Sequence, residues 1–173
     1  MNEVINNILT RRSVRKFSDK RIPLEQLEVI ADCARYAPSA RNQQKWRFTV
    51  VRDRELIASI AAVLGKAIGR DDYDFYKPDA LILTSSEKDY KFNREDNACA
   101  MQTIFLAAHS LGIGSVWINQ FMDMCDVPEV RAVLNELGIP ENHAVYGTAA
   151  LGYGDSPEGF KAEKVGGNVA IIG

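Results

Sequence analysis

Residues 93–111, NREDNACAMQTIFLAAHSL, read as one long helix with apolar side chains around most of its girth, among them Ala98, Met101, Ile104, Phe105 and Ala108. A helix that is apolar on several sides cannot rest on a surface, because other elements must pack against it from more than one direction. The chain therefore has to supply layers around it. Gly112 and Gly114 stop the helix. Short apolar runs at 48–51, 80–84, 115–118 and 144–151 read as strands. Amphipathic stretches at 2–10, 54–65 and 128–137 read as helices, as does the segment opened by Pro23 and ended by Pro38. The inward residues of the second helix are Leu24, Leu27, Ala31 and Ala34, and those of the third are Leu56, Ile57, Ile60 and Leu64. Residues 65–77, with Asp71, Asp72 and Asp74, read as a solvated loop or short helix without the ligand order of a calcium loop. Strands separated by helical patterns give a layered domain of α/β or α+β type.

The order of elements excludes several functions. The first strand arrives only after two helices, unlike a dinucleotide-binding βαβ unit, and no GxGxxG follows a strand. Gly65-Lys66 lacks the remaining residues of a phosphate-binding P-loop. The longest apolar runs are about seven or eight residues where a bilayer span needs about twenty. The start, MNEVINNILTRR, places basic residues after apolar ones, the reverse of a secretory signal. Three cysteines (Cys33, Cys99, Cys125) without a CxxC pair suit free thiols in a reducing, cytoplasmic setting. With only His109 and His143, no metal centre is expected. The net charge of −2 argues against a general nucleic-acid binder. The charge is uneven, however: residues 1–54 carry a balance of +6 and residues 55–173 one of −8. That asymmetry fits either a local anion site or the mutual attraction of opposite surfaces.

Two segments carry the chemistry. In RRSVRKF, Arg11 and Arg15 are four apart, so helical backbone would bring them together around Ser13. Guanidinium forks match phosphate oxygens two at a time. The same cluster also suits a solvated basic helix end, where cations oppose the helix dipole. In PSARNQQKW, Ser39, Asn42, Gln43, Gln44 and Trp46 can hydrogen-bond and stack against a polar heterocycle, or form a well-capped turn.

Taken in order, RRSVRKF, YAPSARNQQKWRF, REDNACAMQTIFLAAHSLGIG, SVWINQF and LGYGD resemble the FMN-dependent nitroreductase family over nearly the whole chain. The resemblance implies an α+β fold, a three-layer α/β/α nitroreductase-like domain with a central mixed, mainly antiparallel sheet, in an intertwined homodimer. Residues 1–155 would form the FMN-binding domain. Residues 156–173 would form a tail that packs on the partner subunit. Two FMN molecules would lie at the dimer interface. Arg11 matches the phosphate position and Arg15 the pyrimidine edge, where it would also act catalytically. Arg12 and Ser13 match neighbouring contacts to phosphate and ribityl. Pro38, Ser39, Ala40 and Asn42 match a loop reaching the flavin of the other subunit. Asn119 and Gln120 match the segment facing flavin N5, and Lys161 or Lys164 a basic tail residue at the phosphate. The implied activity is hydride transfer from NADH or NADPH through FMN to an electron-poor small molecule, a nitroaromatic or quinone. A flavin-holding protein or a reductive dehalogenase is the alternative. Lys45 stands where the family pattern has Pro, Ala40 where Ser is common, Gly154 where Pro is usual, and Asn119-Gln120 where small residues are common.

Overall fold

Asn2 caps the first helix: its side-chain oxygen accepts the Ile5 amide at 2.9 Å. The computed structural model describes residues 2–155, Gly167 and residues 169–173. Among these residues, five helices and four strands follow in the order α1 (Glu3–Thr10), α2 (Leu24–Arg35), β1 (Trp46–Val51), α3 (Arg54–Ala67), β2 (Ala80–Glu87), α4 (Asn93–Ser110), β3 (Gly114–Ile118), α5 (Pro128–Glu136) and β4 (His143–Gly152), with a short 3-10 turn (Ala40–Asn42) before β1. The strands make one sheet, ordered β1-β2-β4-β3, and all three pairings are antiparallel. The parallel component of the expected mixed sheet is a single bridge, Ser13 with Ser115.

Alternation along β2 divides the core in two. Leu81 and Leu83 face a cluster with Ile57, Ile60 and Leu64 of α3 and Val130 and Leu134 of α5. Ala80 and Ile82 face the opposite cluster, with Leu27 and Ile30 of α2 and Met101, Ile104 and Ala108 of α4. The sheet is thus covered on both faces by helices, which is the three-layer arrangement, and β2 reads as a continuous apolar run because neither face meets water.

Several details differ from the sequence reading. Leu24 and Leu56 are exposed, because the inward stripe of α2 is Leu27, Ile30 and Ala34 and that of α3 is Ile57, Ile60, Ala61 and Leu64. At the start of α4, Ala98 is exposed and the polar pair Asp96 and Asn97 is buried instead. The 65–77 segment is not simply solvated. It inserts Tyr73 and Phe75 into the core, and Phe75, Tyr76 and Lys77 take left-handed φ values of 53°, 68° and 51°. Such a run of bulky residues at positive φ is uncommon and carries no glycine to announce it. Among the described residues, no helix is long and apolar enough to cross a membrane.

Candidate functional site

Helix α1 ends at Thr10, and Arg11 already has φ −57° and ψ 135°. The basic segment is therefore extended rather than helical. Arg11 and Arg15 lie on the same side of it by the two-residue period, roughly 13 Å apart along the backbone, instead of stacked on one helical turn. Val14 donates its amide to Ser115 at 2.9 Å, and Ser13 bridges the same residue, so the segment lies along the open edge of β3. Further on, Phe17 bridges Gly154, and Ser18 donates to the Tyr153 carbonyl at 2.8 Å. Two glycines permit this approach. A Cβ at Gly114 would lie 2.8 Å from Val14, and one at Gly152 would lie 2.8 Å from the Phe17 ring.

The two leading arginines differ. Arg12 donates from Nη1 to the carbonyls of Leu9 and Arg11, each at 2.8 Å, and so closes the C-terminal end of α1. Arg11 lies over the Phe105 ring at 5.6 Å, and that ring is 5.9 Å from Trp117 on β3. Burial, then the neighbouring Arg12 charge, push the Arg11 pKa down. Among the described residues, no carboxylate forms an ion pair with Arg11. His109, one helical turn beyond Phe105, shares a 2.9 Å hydrogen bond with Thr10. Its pKa is lowered by burial and then by Arg11 and Arg12. A half-buried cation with no carboxylate partner among the described residues, beside a second guanidinium, suits a phosphate dianion. Arg15 is exposed, and Ser13 is half-buried.

The 38–44 loop lies elsewhere. Pro38 and Asn42 are exposed, and Ser39 and Ala40 are half-buried. Arg41, Asn42 and Gln44 all have positive φ, near 55°, 54° and 50°. Besides the backbone hydrogen bonds of its turn, this strained backbone is held by three side-chain contacts. Ser39 Oγ accepts the Gln44 amide at 3.1 Å, and Asn42 Oδ1 accepts Gln44 Nε2 at 2.8 Å. The buried Asp96 carboxylate accepts the Ala40 amide at 2.9 Å on one oxygen and the Tyr90 hydroxyl at 2.7 Å on the other. Burial and the Asp96 hydrogen bond push the Tyr90 pKa up to about 12, so the phenol remains a donor. Sequence reasoning missed Asp96; the only signal available was a carboxylate in the first turn of an otherwise apolar helix. Lys45, in place of the family's Pro, pairs with Glu87 at 3.1 Å and sits over Tyr90. A cavity of about 560 Å³ opens beside the loop, lined by Tyr36, Asn42, Gln44, Trp46 and Phe48 among others.

Beyond the end of β3, Asn119 is exposed and Gln120 half-buried. The structure brings the basic segment and β3 together. It does not bring the 38–44 loop to them: the loop is tied to Asp96 at one end of α4 while the basic cluster meets His109 near the other. At 1.5 Å per residue those ends are about 20 Å apart. Lys161 and Lys164 lie outside the described residues.

An antiparallel sheet between two helical layers, with an arginine at one sheet edge that pairs with no carboxylate among the described residues and a polar loop on the far side, defines the class as a three-layer α+β protein. Comparison makes the class specific: the chain belongs to the nitroreductase family, whose model matches residues 8–75 and 70–153. A nitroreductase of Bacteroides fragilis with bound FMN is 39% identical, covers 100% of both chains and superposes with a TM-score of 0.87. A chain from Archaeoglobus fulgidus with the provisional name NADH dehydrogenase/NAD(P)H nitroreductase is 36% identical, with 92% of this chain and 90% of the relative covered. An NADPH-flavin oxidoreductase of Vibrio harveyi is 30% identical over 91% of this chain and 69% of its own.

Proposed function

We propose that this chain is an FMN-dependent oxidoreductase that takes hydride from NADH or NADPH and passes it, in alternating half-reactions, to an electron-poor acceptor such as a nitroaromatic or a quinone. The observation that carries this reading is the half-buried Arg11 guanidinium, paired with no carboxylate among the described residues and set against Phe105 at the edge of β3. Membership in a family with FMN-bound relatives supports it.

In this reading Arg11 grips the flavin phosphate. Arg12 holds the end of α1 and adds charge at the same place, and the Ser13 hydroxyl adds a donor beside them. Arg15, farther along the extended segment, sets a fixed cation at the pyrimidine edge, where negative charge grows on reduction; a cation already in position there lowers the barrier. Asn119 and Gln120 present a backbone N–H toward N5. When bound, FMN supplies the redox chemistry itself, accepting and then donating hydride. Pro38, Ser39, Ala40 and Asn42 complete the site from a second copy of the chain, because the 20 Å between loop and basic cluster is too far to close within one. The working form is accordingly a homodimer.

The test is optical. The purified protein, or protein incubated with FMN and desalted, is expected to be yellow and to bleach anaerobically on addition of NADH or NADPH. Protein that takes up no FMN overturns the reading. A bound flavin that stays oxidised with both donors would assign a flavin-holding role instead.

A further inference from the structure

The Asn119 amide is already engaged. It donates to Oε1 of the next side chain, Gln120, at 3.1 Å. The same oxygen accepts the Tyr73 hydroxyl, also at 3.1 Å. Tyr73 is fixed from behind, since its ring meets Phe75 edge-on at 5.0 Å and Phe75 stacks on Phe121 at 5.9 Å. Burial pushes the Tyr73 pKa up, so this phenol keeps its proton and remains a donor. The Gln120 carbonyl oxygen is therefore held between a donor anchored in the core and the backbone N–H that faces the flavin in the functional reading above.

Oxidised N5 carries a lone pair and accepts a hydrogen bond. Reduced N5 carries a hydrogen and donates one. A rigid N–H aimed at N5 suits the first state and opposes the second, and an amide left without an acceptor destabilises whichever state contains it. We propose that Gln120 is a positioning residue that exchanges this amide: the Asn119 N–H turns to N5 when the flavin is oxidised and returns to Gln120 Oε1 when it is reduced, with Tyr73 keeping that oxygen in reach. The exchange moves no electrons. Two electrons and one hydrogen arrive together as hydride from NAD(P)H, which leaves as the oxidised nicotinamide. The consequence is a flavin whose reduced form is held more tightly than it would be beside a residue lacking the acceptor. The inference rests on the FMN reading.

Gln120→Met keeps the side-chain length and removes the amide acceptor. Tyr73→Phe removes only the donor that steadies it. Dissociation constants for oxidised and anaerobically reduced FMN, and the midpoint potential of the FMN-loaded protein, are measured for all three forms. In Gln120→Met the ratio of reduced to oxidised dissociation constants is expected to rise about tenfold, which is a two-electron potential about 30 mV more negative. Tyr73→Phe should shift it the same way by less. A purely structural role would weaken both redox forms alike and leave the potential where it was. An unchanged or more positive potential in Gln120→Met overturns the exchange while leaving the flavin reading intact. A wild-type chain that binds no FMN overturns both.

Discussion

At the scale of residues, the basic cluster divides its work. Arg12 donates to the carbonyls that end α1, whereas Arg11, half-buried, pairs with no carboxylate among the described residues. Arg11→Ala should therefore leave thermal stability nearly unchanged but cost about 2 kcal/mol of FMN binding, the scale of one charged hydrogen bond. That is roughly thirtyfold in affinity, readable by flavin fluorescence titration; a variant as yellow as the parent after desalting would remove Arg11 from the phosphate site. Arg15→Ala should keep FMN but slow its reduction by roughly ten- to a hundredfold in stopped flow, less than in a closed site because Arg15 is open to water. The two histidines set an acid limit. Both pKa values lie below the unperturbed 6.5: for His109 through burial and then Arg11 and Arg12, for His143 through burial, reinforced by Arg47 and Arg131 and opposed by Glu87. The unfolded chain consequently takes up protons first as pH falls. The contribution of the two rings to stability is complete above about 6.5 and is lost as pH drops through the lowered folded values. Melting temperatures taken between neutral pH and mild acid should fall for the wild type and fall less steeply for the His109→Gln/His143→Gln double variant.

At the scale of elements, the 38–44 loop is held in a strained backbone by helix α4. Asp96 takes the Ala40 amide and the Tyr90 hydroxyl while almost completely buried. Asp96→Ala would orphan the Ala40 amide, one of three side-chain supports for a segment with positive φ at Arg41, Asn42 and Gln44. It should cost about 1–3 kcal/mol in chemical denaturation and loosen FMN. Asp96→Asn keeps an acceptor for Ala40 and should cost clearly less, so equal losses in the two variants would count against the carboxylate as the loop's anchor. Periodicity is why the strands, the helices and the central place of α4 were legible in the sequence: period 2 and period 3.6 report burial directly. The site was legible as a set of segments but not as geometry. Arg11 and Arg15 have spacing that suits a helix, yet Thr10 ends α1 and the extended segment takes its partners from β3, a tertiary choice that local spacing does not encode. The buried Phe75 was hidden for a related reason, because its left-handed turn uses none of the Gly or Asn that normally mark one. Asp96 looked like an ordinary acidic residue in a helix's first turn, and only its contact with a loop 56 positions away reveals what it holds.

At the scale of the whole molecule, a single chain leaves apolar surface that water should not be asked to cover. Helix α1 buries none of its residues, and Val4, Ile5, Ile8 and Leu9 are 68%, 46%, 45% and 55% exposed. It touches its own chain through polar contacts, the Asn7 side chain on the Leu106 carbonyl at 2.9 Å and Thr10 on His109. An isolated helix of eight residues is too short to be stable alone, so its apolar stripe calls for cover. The end of the chain adds Val169, Ile171 and Ile172, each at least 87% exposed. The same chain also keeps the two halves of its proposed flavin site at opposite ends of α4. In the functional reading proposed above, a second copy would meet both needs at once, covering α1 and delivering its own 38–44 loop to the basic cluster. On that argument Ile5→Asp/Ile8→Asp, which places two charges on the open stripe without touching Arg11 or the loop, should convert a dimer to a monomer by light scattering and release FMN in the same step. Loss of the dimer with FMN retained at full affinity would separate the two functions and show that one chain closes the site by itself.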